Sequence, residues 1–128
     1  MLGRIRGEVR FKERLAHHTS LRCGGLADFL VVPQDVDDLR EALAFADREG
    51  LPLVTIGRGT GLLVREQGVR GVVVKLDGCL SRMEFHGDEV TVGAGAGLLT
   101  VIREGARLGL GGLESLTGIP GTVGGALA

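Results

Sequence analysis

The sequence predicts an α+β fold, and three patterns among its 128 residues indicate it. An apolar strand over 27–32, an amphipathic helix that begins after Asp35 and a second apolar strand over 52–56 form a βαβ unit. Its crossover is expected to be right-handed, as nearly all such connections are. Two further strand patterns follow at 72–76 and 82–92, the second of them a hairpin. These elements predict one ordinary domain or two small ones.

The helix after Asp35 carries the clearest start and stop signals. Asp35 is the predicted N-cap, and Asp38, at the third helical position, is favoured by the positive end of the helix dipole. Gly50 lies just beyond the last turn and is expected to end the helix. Four apolar side chains at helical spacing are expected to form its buried stripe: Val36, Leu39, Leu43 and Ala46.

The hairpin pattern lies in the second half of the chain. Apolar and polar residues alternate on both sides of Gly87-Asp88, a pair that suits a two-residue turn. In that register His86 faces Glu89, and we interpret them as a solvated pair rather than a site. A last helix ending near Gly109 is predicted from three apolar residues at helical spacing: Leu98, Ile102 and Ala106. Residues 1–14 predict no definite element.

Composition excludes several classes of partner. With 15 basic and 16 acidic residues, the chain lacks the positive electrostatic field that attracts nucleic acid. It has no Trp and no Tyr, so aromatic surfaces on which bases could stack are also lacking. Cys23 and Cys79 have no CxxC spacing, and we interpret them as reduced thiols of a cytoplasmic protein. His17 and His18 are interpreted as surface residues, since metal ligands come in clusters. No apolar run is long enough for a membrane span, so neither metal nor membrane is expected.

Two glycine-rich stretches are the strongest functional signal. Gly57-Arg58-Gly59-Thr60-Gly61 follows the strand over 52–56, and a second stretch covers 118–125. Glycine allows backbone N–H groups to approach a ligand closely, and successive N–H groups in one concavity bind anions. Two such loops predict a dinucleotide held at its pyrophosphate. No Walker lysine follows either loop, and Leu62 stands where a Rossmann fingerprint needs its third glycine. Ordinary tight turns are the competing interpretation.

The order of the motifs resembles that of a known enzyme family, the UDP-N-acetylenolpyruvoylglucosamine reductases (MurB), in their shorter type II branch. The resemblance covers nearly all of the chain from Ala16 onward. The stretches that carry it are His18-Thr19-Ser20-Leu21-Arg22-Cys23-Gly24-Gly25-Leu26-Ala27-Asp28, the loop over 57–64, and the run over 112–126 that contains Gly118-Ile119-Pro120-Gly121-Thr122-Val123-Gly124-Gly125. The first loop departs from the family pattern, which has Ser-Asn at the positions of Thr60 and Gly61.

The resemblance implies a fold, a division of the chain and a cofactor. The fold would be the FAD-binding fold of the vanillyl-alcohol oxidase/PCMH type. Residues 1–76 would form its first sub-domain and residues 77–128 the beginning of its second, with the substrate domain absent. Thr19 and Arg22 would support the first flavin loop. The implied FAD-binding residues are Gly57, Arg58, Gly59, Thr60, Gly61, Leu62, Gly118, Ile119, Pro120, Gly121, Thr122, Gly124 and Gly125.

The resemblance also implies a reaction, the NADPH-dependent reduction of UDP-N-acetylglucosamine enolpyruvate in peptidoglycan precursor synthesis. The family's catalytic residues lie beyond position 128, so none maps onto this chain, which is expected to be inactive alone and to meet the UDP-sugar only if the missing domain is present. Two other interpretations stay open. One is a non-catalytic flavin- or nucleotide-binding module or decayed paralogue, and the other is a flavoenzyme of the same fold with a different substrate.

Overall fold

A four-stranded mixed sheet forms the first half of the protein. The structure, a computed structural model, describes residues 2–76 and 80–128. The sheet has the order β1-β2-β4-β3, in which β1 pairs antiparallel with β2, while β2 and β3 each pair in parallel with β4. Its strands are β1 (Glu8–Arg14), β2 (Leu26–Val32), β3 (Leu53–Ile56) and β4 (Val69–Lys75). The predicted βαβ unit is therefore confirmed, with β4 inserted between its two strands.

Helix α1 (Val36–Arg48) connects β2 to β3 and covers one face of this sheet. Asp35 caps it as predicted, because its side chain accepts a hydrogen bond of 3.0 Å from the Asp38 backbone N–H. The predicted stripe is wrong in part, since Val36 and Leu43 remain 50% and 47% exposed. The buried face of α1 consists instead of Asp38, Ala42 and Ala46, which pack toward Val31, Val72 and Val74.

Asp38 explains why the helix presents this face. Its carboxylate is buried and accepts backbone N–H bonds from Arg6 at 3.0 Å, Gly7 at 2.8 Å and Gln34 at 2.9 Å. Burial alone raises the pKa of Asp38, but these three hydrogen bonds and the nearby Arg6 charge outweigh it and hold the pKa below its usual value. The carboxylate thus fastens the N-terminal segment to the start of α1. Periodicity of apolar residues does not reveal a buried acid of this kind.

The opposite face of the sheet is covered by loops. Leu15, Leu30, Ile56 and Val73 are buried there, with Leu62 and Val64 packed against them. Residues 1–14, for which the sequence predicted no definite element, contain the 3-10 helix Leu2–Arg4 and strand β1, and a second 3-10 helix, Leu15–His18, follows them. The loop that follows β3 therefore lies over this second face.

The second half of the described chain contains a hairpin and two helices. Strands β5 (Met83–His86) and β6 (Glu89–Val92) pair antiparallel with His86 opposite Glu89, so the predicted register is confirmed. Helix α2 (Leu98–Arg107) buries Leu98 and Ile102, whereas Ala106, the third residue of its predicted stripe, is exposed. Helix α3 (Val123–Leu127) was not predicted. The predicted boundary at Asp77-Gly78 and the thiol of Cys79 lie outside the described residues.

None of the helices in residues 2–76 and 80–128 has the length and hydropathy that crossing a bilayer requires.

Candidate functional site

The two glycine loops meet in one cleft at the carboxyl edge of the parallel strands. Strand β3 ends at Ile56 and the chain enters Gly57 directly, while Leu76 N–H at the end of β4 donates to Ile56 O at 2.9 Å. The cleft has a volume of 540 Å³. Its predicted lining residues are Gly57, Arg58, Gly59, Thr60, Gly61 and Leu62 of the first loop, and Ile119, Pro120, Gly121, Thr122 and Gly125 of the second. The carboxyl ends of parallel strands are where open sheets of this kind bind ligands.

The loops are close enough that a methyl group would not fit between them. A Cβ on Gly57 would lie 2.5 Å from Thr122 Oγ1, and a Cβ on Gly121 would lie 2.9 Å from Thr60 Oγ1. Thr122 is buried, and its hydroxyl accepts a hydrogen bond of 3.2 Å from Gly125 N–H at the start of α3. Glycine at position 57 is therefore required by the approach of the second loop, which argues against an ordinary tight turn.

The motif at 18–20 supports the first loop from beneath. Gly59 has a φ of 72°, and a Cβ there would lie 2.1 Å from His18 O. Ser20 N–H donates to Gly59 O at 3.0 Å. Thr19 is buried, and its hydroxyl donates to Cys23 O at 3.2 Å, which closes the turn that contacts Gly59. The backbone of this turn, rather than the side chain of Thr19 or Arg22, makes the observed contact with the loop.

The second loop is held by the segment between β6 and α2. Val123 N–H donates to Ala96 O at 2.8 Å, Gly124 N–H to Ala94 O at 2.9 Å, and Leu98 N–H to Gly121 O at 2.9 Å. Residues 93–97 are also glycine-rich, although their sequence alone indicates no role for them. Their role is structural, because they fix the position of the second loop against the first.

Two predicted site residues lie outside the cleft lining. Gly124 lines a neighbouring recess of 250 Å³ together with Gly57 and Ala94. Gly118 is exposed, lines neither hollow and has open space where a Cβ would be added. Conversely, Thr55 and Ala126 line the cleft although the sequence did not single them out. The sequence placed Thr55 only in the strand over 52–56 and Ala126 only in the family-like run over 112–126.

Arg58 contributes the charged side chain among the described lining residues of the cleft. A Cβ on Gly97 would lie 2.6 Å from Arg58 Nη2, so the guanidinium extends from the first loop to the segment before α2. The cleft thus combines glycine backbone with one cation, and both features suit an anionic group.

His18 does not lie on the surface, contrary to the prediction. Its Nε2 lies 2.8 Å from Glu13 Oε1 and its Nδ1 lies 3.1 Å from Lys75 Nζ. Because an ammonium group only donates, Nδ1 accepts and Nε2 carries the proton that Glu13 accepts. The hydrogen bond from His18, with that from Arg10, holds the pKa of Glu13 below its usual value against the effect of burial. His17 is exposed, as predicted.

Other candidate groups have local structural roles. Glu114 accepts a hydrogen bond of 2.8 Å from Gly112 N–H, and bonds from its own backbone and from Gly112 hold its pKa below the usual value. Glu114 therefore acts as a loop carboxylate with local hydrogen bonds. In the part of the chain that the structure describes, no three His, Cys, Asp or Glu residues cluster as metal ligands would.

A mixed sheet with two glycine loops meeting at the carboxyl edge of its parallel strands defines a nucleotide-binding domain of the α+β class. Residues 27–128 match the family described as "FAD binding domain", and the chain belongs to that family. Its cofactor is FAD. The fold is the FAD-binding fold of the vanillyl-alcohol oxidase/PCMH type, as the resemblance implied.

Individual relatives extend the comparison. The chain is 48% identical over 124 residues to the UDP-N-acetylenolpyruvoylglucosamine reductase of Geobacter metallireducens, an alignment that covers 97% of this chain and 41% of the relative. The crystal structure of the corresponding reductase (MurB) from Thermus caldophilus has a TM-score of 0.68 and 33% identity, covering 96% of this chain and 41% of that one. The chain therefore spans about two fifths of these proteins.

A more distant structure shares the fold alone. Cholesterol oxidase from Brevibacterium sterolicum has a TM-score of 0.71 at 17% identity, covering 96% of this chain and 24% of the oxidase. Folds are shared by enzymes of different chemistry, so this likeness carries no information about substrate.

Proposed function

We propose that this chain is the FAD-binding portion of a UDP-N-acetylmuramate dehydrogenase. That enzyme reduces UDP-N-acetylglucosamine enolpyruvate with NADPH in peptidoglycan precursor synthesis. The two glycine loops meet in a single cleft, and this observation carries the proposal. The sequences and the order of these loops match those of the reductase family. The names of the relatives at 33% and 48% identity support the same assignment.

The residues of the cleft fit the diphosphate bridge of FAD. Gly57 and Gly59 lie where a Cβ would meet Thr122 or His18 O, so bare backbone lines the hollow at these positions. We propose that backbone N–H groups of 57–61, with the Thr60 hydroxyl and the Arg58 guanidinium, bind the diphosphate. The other side of the cleft would be lined by five residues of the second loop: Ile119, Pro120, Gly121, Thr122 and Gly125. Gly124 would lie behind this side, in the adjoining recess. Gly118 would shape the turn that leads into the second loop.

Bound flavin would supply the hydride-transfer chemistry of the proposed reaction. The residues of this chain bind and orient the cofactor. The described residues that line the cleft include no His, Cys, Asp or Glu, which are the usual acids, bases and nucleophiles. We therefore assign the UDP-sugar, the nicotinamide substrate and the catalytic groups to the remaining three fifths of the relatives' length.

We also propose that residues 1–76 and 77–128 are two sub-domains, and that the protein acts in the cytoplasm, where these nucleotide substrates are found.

A non-catalytic flavin-binding module is the second candidate, and Gly61 favours it. Gly61 stands where the reductase family has an asparagine, and no atom lies within 4 Å of a Cβ added there. Contact at the Cβ position therefore does not explain why a side chain is absent here. Lower flavin affinity without turnover is what this candidate predicts.

The cofactor site is tested by titrating the purified chain with FAD and following flavin fluorescence. We expect saturable binding, and Gly59→Ala is expected to weaken it about tenfold or more, because alanine is strained at positive φ and clashes with His18 O. Gly3→Ala is the matched control, since open space surrounds a Cβ at that position. Equal affinities of the Gly59 and Gly3 variants would contradict the assigned site.

The reaction itself is tested with the chain joined to the substrate domain of a relative. NADPH oxidation that depends on the UDP-enolpyruvyl sugar, and that is lost with Gly59→Ala, is expected for the dehydrogenase. FAD binding without such turnover would favour the non-catalytic module. Turnover by the 128-residue chain alone would contradict the proposed division of labour.

A further inference from the structure

A second, larger cavity lies beside the glycine cleft. Its volume is 810 Å³, and it shares Arg58 with the cleft. The cavity extends from the end of β4 at Lys75 to the loop that follows β1. Its wall is formed largely by the segment over 16–20, the backbone of which supports Gly59.

The lining of this cavity is cationic. Arg14, Arg22, Arg58 and Lys75 line it, and the described lining residues include no Asp or Glu. Arg14 and Arg22 are exposed and form no ion pair or side-chain hydrogen bond with any residue of 2–76 or 80–128. A guanidinium group without such a bond keeps its five N–H donors available to a ligand.

The backbone and His18 hold two of these cations in place. Arg22 has a φ of 52°, which is unusual for a residue with a Cβ, and its N–H donates to Thr19 O at 3.2 Å in a tight turn. Lys75 Nζ lies 3.1 Å from His18 Nδ1, while His18 Nε2 binds Glu13. Both ring nitrogens of His18 are therefore occupied, so it orients Lys75 and has no free nitrogen for a ligand.

The two cavities suit anions of different charge. The glycine cleft offers backbone N–H groups and one cation, which match a diphosphate diester with one charge on each phosphorus. A phosphate monoester carries nearly two charges at neutral pH and three acceptor oxygens. Several arginine and lysine groups around one space match a monoester better, because guanidinium binds phosphate bidentately.

We propose that this cavity is a second anion site, and that its ligand is a small molecule with a phosphate monoester, separate from FAD. The volume of 810 Å³ admits a nucleotide as well as inorganic phosphate. The ligand occupies the cavity while FAD occupies the cleft, and Arg58 lies between the two. The site belongs to this chain and does not depend on the substrate domain or on the proposed reaction.

The test is calorimetric titration of the full chain at low ionic strength with inorganic phosphate. AMP and adenosine, which differ by one phosphate monoester, serve as a second pair of probes. We expect saturable phosphate binding that weakens with added NaCl, and tighter binding of AMP than of adenosine. Arg14→Gln and Arg22→Gln are each expected to weaken binding about fivefold or more, because each removes charge-assisted hydrogen bonds.

Arg103→Gln on α2 is the matched control, because it removes the same charge from an exposed position outside the cavity lining. Equal losses in all three variants, or the absence of saturable binding, would overturn the proposal. If inorganic phosphate binds and AMP does not differ from adenosine, the ligand is a smaller phosphate and the site stands.

Competition with FAD separates this site from the cleft without any variant. Phosphate is expected to bind saturably when FAD saturates the chain, with a lower affinity because Arg58 is shared and the diphosphate adds negative charge nearby. Mutual exclusion would show that the cavity is an extension of the flavin site and would overturn the proposal. Flavin fluorescence reports FAD binding in the same samples, so failure of the FAD assignment remains distinguishable from failure of the anion site.

Discussion

Thr122 Oγ1 lies 2.5 Å from the position that a Cβ would take on Gly57. The hydroxyl belongs to the second glycine loop and the missing Cβ to the first, so the two loops are in direct contact at this point. Thr122 also caps α3 by accepting from Gly125 N–H. The contact fixes both the width of the cleft and the start of the helix behind it.

The contact predicts coupling between the two positions. Gly57→Ala is expected to destabilise the chain by about 1–3 kcal/mol through overpacking, and Thr122→Ala by about 0.5–2 kcal/mol through loss of the cap. The double variant should lose less than the sum, because removing the hydroxyl relieves the clash. Urea unfolding of the four proteins measures this. Strict additivity would mean that the loops do not touch in solution.

Asp38 is expected to make part of the chain's folding stability sensitive to acid. Its folded-state pKa is lowered, so the stability it contributes is fully present above its unfolded pKa of about 4 and is lost as the pH falls through the lower folded value. Asp38→Asn is expected to destabilise the chain by about 1–3 kcal/mol at neutral pH, because an amide oxygen cannot replace both acceptors of the carboxylate.

Urea unfolding of both proteins between about pH 7 and pH 3 is the measurement. The difference between wild type and variant is expected to be constant down to about pH 5 and to narrow below about pH 4. Asp37→Asn is the control, since Asp37 is exposed in the same helical turn. A difference that widens on acidification would contradict the assignment of the charged form to Asp38.

Restoring the family asparagine is expected to tighten FAD binding. A Cβ at position 61 meets no atom within 4 Å, and one added hydrogen bond of about 1 kcal/mol corresponds to roughly a fivefold lower Kd. Gly61→Ala adds the methylene position without the amide, so it separates the two effects. Equal Kd values for the asparagine and alanine variants would mean that the amide does not reach the cofactor.

Glu13, His18 and Lys75 form a chain of hydrogen bonds beside the first glycine loop, and breaking this chain is expected to make the loop less ordered. His18→Ala removes the ring that orients Lys75, next to the backbone that supports Gly59. We expect weaker FAD binding by about threefold to tenfold, since the loop is less well organised before binding. His17→Ala, at the exposed neighbouring position, should bind FAD as the wild type does. Hydrogen exchange at Ser20 N–H gives an independent readout.

The parallel strands and the α1 cap were predictable because their signals are local. Alternating or continuous apolar residues mark the strands, and Asp35 bonds to a residue only three positions away. The contact of the glycine loops was predicted from their sequence as a functional hypothesis, and the structure brings Gly57 and Thr122 together.

The features that the sequence did not predict share a different cause, because each depends on an interaction between residues that are distant in sequence. Asp38 is buried because the backbone at Arg6 and Gly7 crosses it, 32 and 31 residues away. His18 is held by Lys75, which is 57 residues distant. Strand β1 is defined by its pairing with β2 rather than by its own mixed charge pattern. No periodicity within a single segment contains these contacts.

Glycine backbone forms part of the cleft wall, and this has a consequence for how the cleft is found by mutagenesis. An alanine scan works by deleting atoms, and at positions 57, 59, 121 and 125 there is no side chain to delete. At these positions alanine adds a methyl group, so the scan reports the effect of added bulk in the proposed FAD site. Only replacements that enlarge these residues can expose their importance, so the site responds to gain of bulk and not to its loss.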